Sequence, residues 1–273
     1  MPELPEVENV KNSLKKQILN KTIKKVEILY PNIIEYPTTN EFKKQIINQK
    51  INDIKRRGKW LMFELDNYYL LSHLRMEGKY LIRKTNDEIK KHEHIIFTFD
   101  DDTELRYQDV RKFGKMHLIK KEEINTRKPI SELGLEPWSK ELTEEYLKSK
   151  YSTKKLPIKT VLLDQSIIVG IGNIYADEIL FLSKINPLKK ANELKNKELK
   201  NIIEFTKKIL DQAIINGGTT IRTFTSSEGV HGRNQDNLLV HNREFEKCIN
   251  CNTIIKKIKV NGRGTYYCEK CQK

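Results

Sequence analysis

The four cysteines limit the fold more than any other feature of this chain. All of them fall in the last 26 residues, as "CINC" at 248–251 and "CEKC" at 268–271. The array is C-x2-C-x16-C-x2-C. Two thiolates two residues apart can ligate one ion from a single tight turn, and two such turns complete a tetrahedral four-sulfur shell. The intervening "TIIKKIKVNGRGTYY" (253–267) reads as a hairpin with Asn261-Gly262 at its tip. The spacing therefore predicts one structural Zn2+ on Cys248, Cys251, Cys268 and Cys271. Two disulfides or free thiols are the alternatives, and a redox pair would want a βαβ context. With cysteine at all four positions, no coordination site is left open for catalysis.

Charge indicates the partner. Lys and Arg number 51 against 37 Asp and Glu, for a net charge of +14. That balance favours a polyanion, nucleic acid before anionic membrane. The chain is rich in Lys, Ile and Asn throughout, so compositional bias supplies an alternative source for some of the lysines. At 273 residues it has room for one large domain or two ordinary ones. No stretch approaches the roughly 20 apolar residues of a membrane span. The N-terminus also lacks a basic region leading into an apolar run. The expectation is a cytoplasmic protein with no membrane partner.

Along the chain the texture changes once. Pro5, Glu6 and Glu8 suit a first helical turn, and Val7, Val10 and Leu14 fall on one face, predicting a helix near 5–19. Residues about 22–125 then read as short strands: 59–65, 68–74, 79–83, 94–99, 103–109 and 115–120. Asp66-Asn67, Glu77-Gly78 and the run at 100–102 supply turns between them. Pro129, Gly134 and Pro137 mark a linker over 129–140. Beyond it the pattern is helical, with Thr143 opening one helix and Gly217-Gly218 closing the last. The fold class expected is α+β in two domains. Residues 1–128 form an N-terminal helix with an antiparallel β-sandwich, 141–245 a helical domain, and 246–273 the zinc hairpin.

Two turns suit phosphate. In "VGIGNIYADEIL" (169–180), Gly170, Gly172 and Asn173 precede an apolar helix that Asn173 could cap with its side chain, leaving N–H groups for an anion. A Gly-x-Gly alone is weak. No nucleotide-binding loop accompanies it, since "RRGKW" places Trp60 after Lys59 where Ser or Thr is needed. At the hairpin tip Arg263 lies between Gly262 and Gly264, with Lys256, Lys257 and Lys259 nearby. Flanking glycines let a backbone approach phosphate while the guanidinium binds it bidentately. A solvated turn arginine is the plainer alternative.

The start of the chain, "MPELPEVE", is not explained by helix capping alone, which leaves Pro2 and Glu3 without a role. Taken with "RGKWL" (57–61), "HLRMEG" (73–78), "DVRKFG" (109–114), "GIGNIYADEIL" (170–180) and "NGRGTYYCEKC" (261–271), it resembles the formamidopyrimidine-DNA glycosylases. Six ordered motifs cover nearly the whole length. The resemblance implies a helix-two-turns-helix type of C-terminal domain. It also implies a bifunctional glycosylase and AP lyase, a monomer that excises oxidised purines such as 8-oxoguanine and formamidopyrimidines from damaged double-stranded DNA.

The resemblance also assigns roles. With Met1 removed, Pro2 is the nucleophile that forms a Schiff base with the sugar, and Glu3 is the general acid. Glu6 helps to hold amine and sugar. Lys59 assists β-elimination, and Arg263 grips the lesion phosphate, shared with Asn173, and assists δ-elimination. His92 and Lys155 contact the DNA backbone. Met76, Arg111 and Phe113 fill the gap left by the flipped nucleotide, Arg111 facing the widowed cytosine; ordinary strand packing is the plainer reading of Met76 and Phe113. Residues 222–240 match a loop over the flipped base. Asn234 stands before Gln235 where the family commonly carries an aromatic, which bears on lesion preference. Two neighbouring readings are an endonuclease VIII-like oxidised-pyrimidine glycosylase, whose start reads Pro-Glu-Gly-Pro where Leu4 stands here, and a non-catalytic DNA-binding zinc protein.

Overall fold

The computed structural model describes residues 1–219 and 232–273. It divides into two compact units, residues 1–131 with 219–232, and 132–218 with 233–273.

The first unit opens with helix α1, Leu4–Ile18. Pro5 lies in its first turn, Glu6 complements the N-terminus, and Lys15 and Lys16 the C-terminus. Val7, Val10, Leu14 and Ile18 are buried along one face. Nine strands follow: β1 Ile23–Ile28, β2 Ile34–Tyr36, β3 Asp53–Arg57, β4 Trp60–Glu64, β5 Tyr68–His73, β6 Lys79–Lys84, β7 Glu93–Phe99, β8 Thr103–Gln108 and β9 Lys115–Lys120. They form two sheets, β1-β7-β8-β6 and β2-β9-β5-β4-β3. Their apolar residues, Phe63, Leu70, Tyr80, Phe97, Leu105 and Leu118 among them, join the α1 face in one core. This is the helix-plus-sheets unit expected of an α+β fold, with two differences. The pairing of β2 with β9 is parallel, every other being antiparallel. Residues expected as strand throughout also include helix α2, Thr39–Ile46. Its Thr38–Glu41 capping box satisfies the first turn: Glu41 N–H donates to Thr38 Oγ1 at 3.4 Å and Thr38 N–H to Glu41 Oε2 at 3.1 Å.

The second unit carries helices α3 Glu144–Tyr151, α4 Ile158–Leu162, α5 Asn173–Leu182 and α6 Asn196–Ile215. Thr143 caps α3 by accepting Tyr146 N–H at 3.2 Å. Gly217 and Gly218 close α6 with φ of 78° and 81°. Residues 134–135 run beside the loop before α5, with Gly134 N–H on Gln165 O at 2.9 Å and Leu135 N–H on Ile167 O at 3.0 Å. A Cβ at Gly134 would lie 2.3 Å from Ile167 O, so only glycine permits this approach. The hairpin pairs β10, Lys256–Val260, with β11, Arg263–Tyr267, across a two-residue turn. Asn261 and Gly262 there have φ of 44° and 78°, the left-handed pair that a type I′ turn demands.

Candidate active site

In the first unit, Pro2 and Glu3 are buried at the start of α1. Glu6 is fully engaged by backbone: its Oε2 accepts Glu3 N–H at 2.8 Å and its Oε1 accepts Thr219 N–H at 2.7 Å. These two amide contacts tie Glu6 both to the chain start and to Thr219. Glu3 is the N-cap of α1 and closes a capping box with Glu6, its side chain facing the N3 amide. Lys59 sits at the β3–β4 turn, with Gly58 at the first central position (φ 55°), as a type II′ turn prefers. Despite its place at a hairpin tip, Lys59 is only 6% exposed. The α-amino group at Met1 is pushed below its ordinary value by burial. The charges of Glu3 and Glu6 oppose that shift, and Lys59 adds to it. One amine, three carboxylates (Glu77 being the third) and one lysine thus act on one another here.

Two residues that sequence reasoning passed over support the arrangement. Arg56 donates through Nε to Glu8 Oε2 at 2.8 Å and through Nη1 to Gly58 O at 2.9 Å, tying α1 to the Lys59 turn. Burial alone would raise the Glu8 carboxyl, but hydrogen bonds from Lys11 and Arg56 outweigh it and hold the group below its usual value. His73 pairs with Trp60 across β4–β5, with the rings edge-on at 4.8 Å. Burial, with Arg75 and Lys59 adding, lowers its pKa to about 3. Its Nδ1 accepts Arg75 N–H at 3.0 Å, so the imidazole is neutral with its proton on Nε2. The regular spacing of "YYLLSHL" made this histidine look like any strand residue.

Met76 is half-buried in the loop from Leu74 to Gly78, and Arg111 and Phe113 stand exposed in the loop from Asp109 to Gly114. The Arg111 guanidinium lies 4.8 Å from the Phe113 ring centre. Phe113 is 49% exposed, which removes the core-packing explanation for that residue. Buried Asp109 holds the second loop, accepting Arg111 N–H on Oδ1 at 3.0 Å and Gly114 N–H on Oδ2 at 2.8 Å. His92, half-buried with φ 73°, adjoins it, its carbonyl accepting Asp109 N–H at 3.0 Å.

In the second unit, Asn173 and the Arg263 strand come together. The expectation that Asn173 caps α5 is wrong: Gly172 is the N-cap and Asn173 the first helical residue, and its Nδ2 donates to Gly264 O at 2.9 Å. Spending the amide on β11 takes it off the helix end. Arg263 is exposed at the first position of β11, and the tip is fastened to α4 by Asn261 Nδ2 on Thr160 Oγ1 at 3.0 Å. Lys155 lies exposed before α4. Beneath them is a buried network that the sequence did not disclose. Lys159 Nζ donates to Asp177 Oδ1 at 2.6 Å and to Asn173 O at 2.7 Å, and His241 Nδ1 meets Asp177 Oδ2 at 2.7 Å. Glu178 accepts the N–H groups of Leu239, Val240 and His241 at 2.8, 3.0 and 2.9 Å. Both acids of "ADEIL" are therefore spent inside the unit, joining α5 to the segment that leads into the hairpin.

The four cysteine sulfurs lie within 4.8 Å of one another and none is in a disulfide. Cys248 and Cys271 sulfurs are 3.8 Å apart, those of Cys251 and Cys268 3.4 Å. Zinc–sulfur bonds of about 2.3 Å in a tetrahedron separate sulfurs by about 3.8 Å, so the quartet fits one structural Zn2+. Cys248 and Cys268 also pack with Phe181, Val240, Ile255 and Tyr266, fixing the metal site against α5.

Of the loop expected over a flipped base, 222–231 lies outside the described residues. Asn234 is buried and structural: it opens a short 3-10 turn, its N–H donates to Gly218 O at 3.1 Å, and its Oδ1 accepts Asn216 Nδ2 at 3.1 Å.

Comparison with known proteins agrees with this architecture. Residues 1–116 match the formamidopyrimidine-DNA glycosylase N-terminal domain, 133–225 the H2TH domain of the same enzymes, and 245–273 the zinc finger found in FPG and IleRS. The formamidopyrimidine-DNA glycosylases of Bacillus cereus and Bacillus subtilis are 47% and 48% identical, aligned over 100% of this chain and 99% of theirs. A point mutant of the Lactococcus lactis FPG in complex with Fapy-dG-containing DNA superposes with a TM-score of 0.93 at 39% identity over 100% of both chains. The L. lactis Fpg bound to abasic-site DNA gives 0.92 at 39%, covering 99% of each. Three consecutive domain matches and full-length relatives near half identity place this chain in the formamidopyrimidine-DNA glycosylase family.

Proposed function

We propose that Pro2, once Met1 is removed, attacks C1′ of a damaged nucleotide through its secondary amine. As a member of its family the chain is a DNA glycosylase with AP lyase activity that acts on oxidised purines in duplex DNA. The observation that carries the mechanistic reading is the charge environment at the start of α1. The amine lowered by burial is that of Met1, beside Glu3, Glu6 and Lys59; removing Met1 would transfer the free amine one residue on, to Pro2, itself buried at the start of α1.

The proline nitrogen bonds to C1′ as the glycosidic C1′–N9 bond breaks, and the base leaves with a proton. Glu3 protonates the ring oxygen, the sugar opens, and the nitrogen lone pair closes an iminium, which a secondary amine supports. Loss of a C2′ proton then expels the 3′ phosphate, Lys59 assisting. A second elimination expels the 5′ phosphate, with Arg263 donating to the leaving oxygen. Asn173, His92 and Lys155 hold backbone phosphates, and Met76, Arg111 and Phe113 occupy the vacated stack. The zinc holds the β10–β11 hairpin that presents Arg263 and takes no part in the chemistry. We further infer a monomer acting in the bacterial cytosol on damaged double-stranded DNA; among the described residues no helix is long and apolar enough to cross a membrane.

A pyrimidine lesion has been seen bound to one relative. An L. lactis Fpg, 38% identical with a TM-score of 0.92, has been solved with DNA containing an oxidised pyrimidine. This supports pyrimidine lesions as secondary substrates here.

Borohydride reduction in the presence of duplex DNA with 8-oxoguanine opposite cytosine should trap a covalent adduct, and peptide mapping should place it on Pro2. A saturated duplex that yields no adduct, or one attached only elsewhere, would overturn the mechanism.

A further inference from the structure

Tyr107 is a fully buried aromatic whose ring packs on Tyr80 at 5.2 Å, and Tyr80 in turn packs on Phe63 at 5.6 Å. That stacking needs a ring and no hydroxyl, so phenylalanine would serve it equally well. The oxygen has a different setting. A Cβ built on Gly78 would lie 2.2 Å from Tyr107 Oη, and one built on Gly114 would lie 1.8 Å from it. Neither glycine has a positive φ, so conformational freedom does not account for either. The hydroxyl is the nearest atom at both positions, although Tyr107 Cζ, at 2.9 Å from the first and 2.6 Å from the second, and Leu74 O, at 2.6 Å from the first, would also crowd a Cβ. Gly78 ends the loop that carries Met76, its N–H on Leu74 O at 2.9 Å, and Gly114 ends the loop that carries Arg111 and Phe113.

The hydroxyl is also directed. Burial, with the charge of Asp109 adding, raises the phenol well above its ordinary range, so it stays protonated. It points at Asp109 Oδ2, a long contact of 3.4 Å, and that same oxygen accepts Gly114 N–H at 2.8 Å. The remaining carboxylate oxygen takes Arg111 N–H. One buried phenol and one buried carboxylate therefore underlie both loops, while Phe113 and Arg111 are presented outward above them.

We propose that Tyr107 is a positioning residue: its hydroxyl, lodged between Gly78 and Gly114, fixes the spacing of Met76 relative to Arg111 and Phe113 and so pre-forms the wedge that enters the DNA stack. This rests on reading those three as gap-filling residues. The spacing matters because a misplacement of about 1 Å at a group that orients the substrate can slow a reaction by about a hundredfold.

The test is Tyr107→Phe in the full-length zinc-bound protein. Three quantities are read: single-turnover excision of 8-oxoguanine opposite cytosine and opposite adenine, strand cleavage at a pre-formed abasic site, and the urea midpoint. Excision opposite cytosine should slow about tenfold and the preference for cytosine over adenine should shrink, while abasic cleavage stays within about twofold. Adding Met76→Ala to Tyr107→Phe should cost less than Met76→Ala alone, because the wedge is already displaced. If excision and abasic cleavage fall together with the urea midpoint, or if Tyr107→Phe leaves excision and base preference intact, the positioning role is overturned. Met76→Ala, Arg111→Ala and Phe113→Ala separate the two levels. Should they alter excision while Tyr107→Phe does not, only this inference fails; should none of them alter it, the gap-filling reading itself fails.

Discussion

Arg263 occupies the first position of β11 beside two glycines that differ in what they contribute. Gly262 needs its positive φ of 78° to make the turn, whereas a Cβ on Gly264 would meet nothing nearer than Lys257 Cε at 3.6 Å. The turn therefore tolerates change on one side of the arginine only. Arg263→Ala should lower the slope of log affinity against log salt by about one, with binding weakened across all duplex sequences. Arg263→Lys should preserve that slope and still slow the second elimination, since an ammonium lacks the planar fork. Titration at several salt concentrations and the ratio of β to β,δ products check the two. At this scale the sequence was most legible at the cysteines, whose spacing predicted four sulfurs that lie within 4.8 Å of one another. It was least legible where a common residue is spent on backbone. Asn173 reads as a helix cap in one dimension, yet its amide goes to Gly264, 91 positions away.

Helix α5 shows what an element can conceal. Its eight residues from Ile174 to Phe181 are all buried, including Asp177 and Glu178, so its polar residues face partners rather than water. Asp177→Ala would leave Lys159 charged and enclosed, which should cost about 3–5 kcal/mol and be visible as a large drop in urea midpoint. Strand β5 carries a pH dependence of its own. His73 titrates at about 3 when folded and near its ordinary value of 6.5 when not. Between those values the unfolded chain binds the extra proton, so stability rises with pH over that interval and is lost as pH falls below 6.5. At about pH 5 the loss from this group is about 2 kcal/mol. His73→Gln should flatten the difference between urea midpoints measured at about pH 7.5 and about pH 5. Strands with alternating or aromatic-rich composition were legible, because their period is local. The parallel β2–β9 pairing and helix α2 were not: the first joins segments far apart in the chain, and the second is a short helix among strands.

On the scale of the whole molecule, the +14 charge and the zinc hairpin answer to different reagents. Salt weakens every phosphate contact together. A chelator acts on one point, the quartet that packs Cys248 and Cys268 against Phe181 and Tyr266. Removing zinc should unfold the hairpin and reduce affinity for duplex DNA at low salt, measurable by fluorescence anisotropy, with recovery on adding zinc back. The division into a β-rich half and a helical half could be read from the change of texture around residues 126–138. What could not be read is that Thr219 belongs with the first unit. The bond from Thr219 N–H to Glu6 spans 213 positions. During synthesis from the amino terminus, the nascent chain must therefore be about four-fifths made before the carboxylate that orients its own first residues can receive its second partner, and a ribosome stalled earlier would hold a β-sandwich whose chemistry is still unassembled.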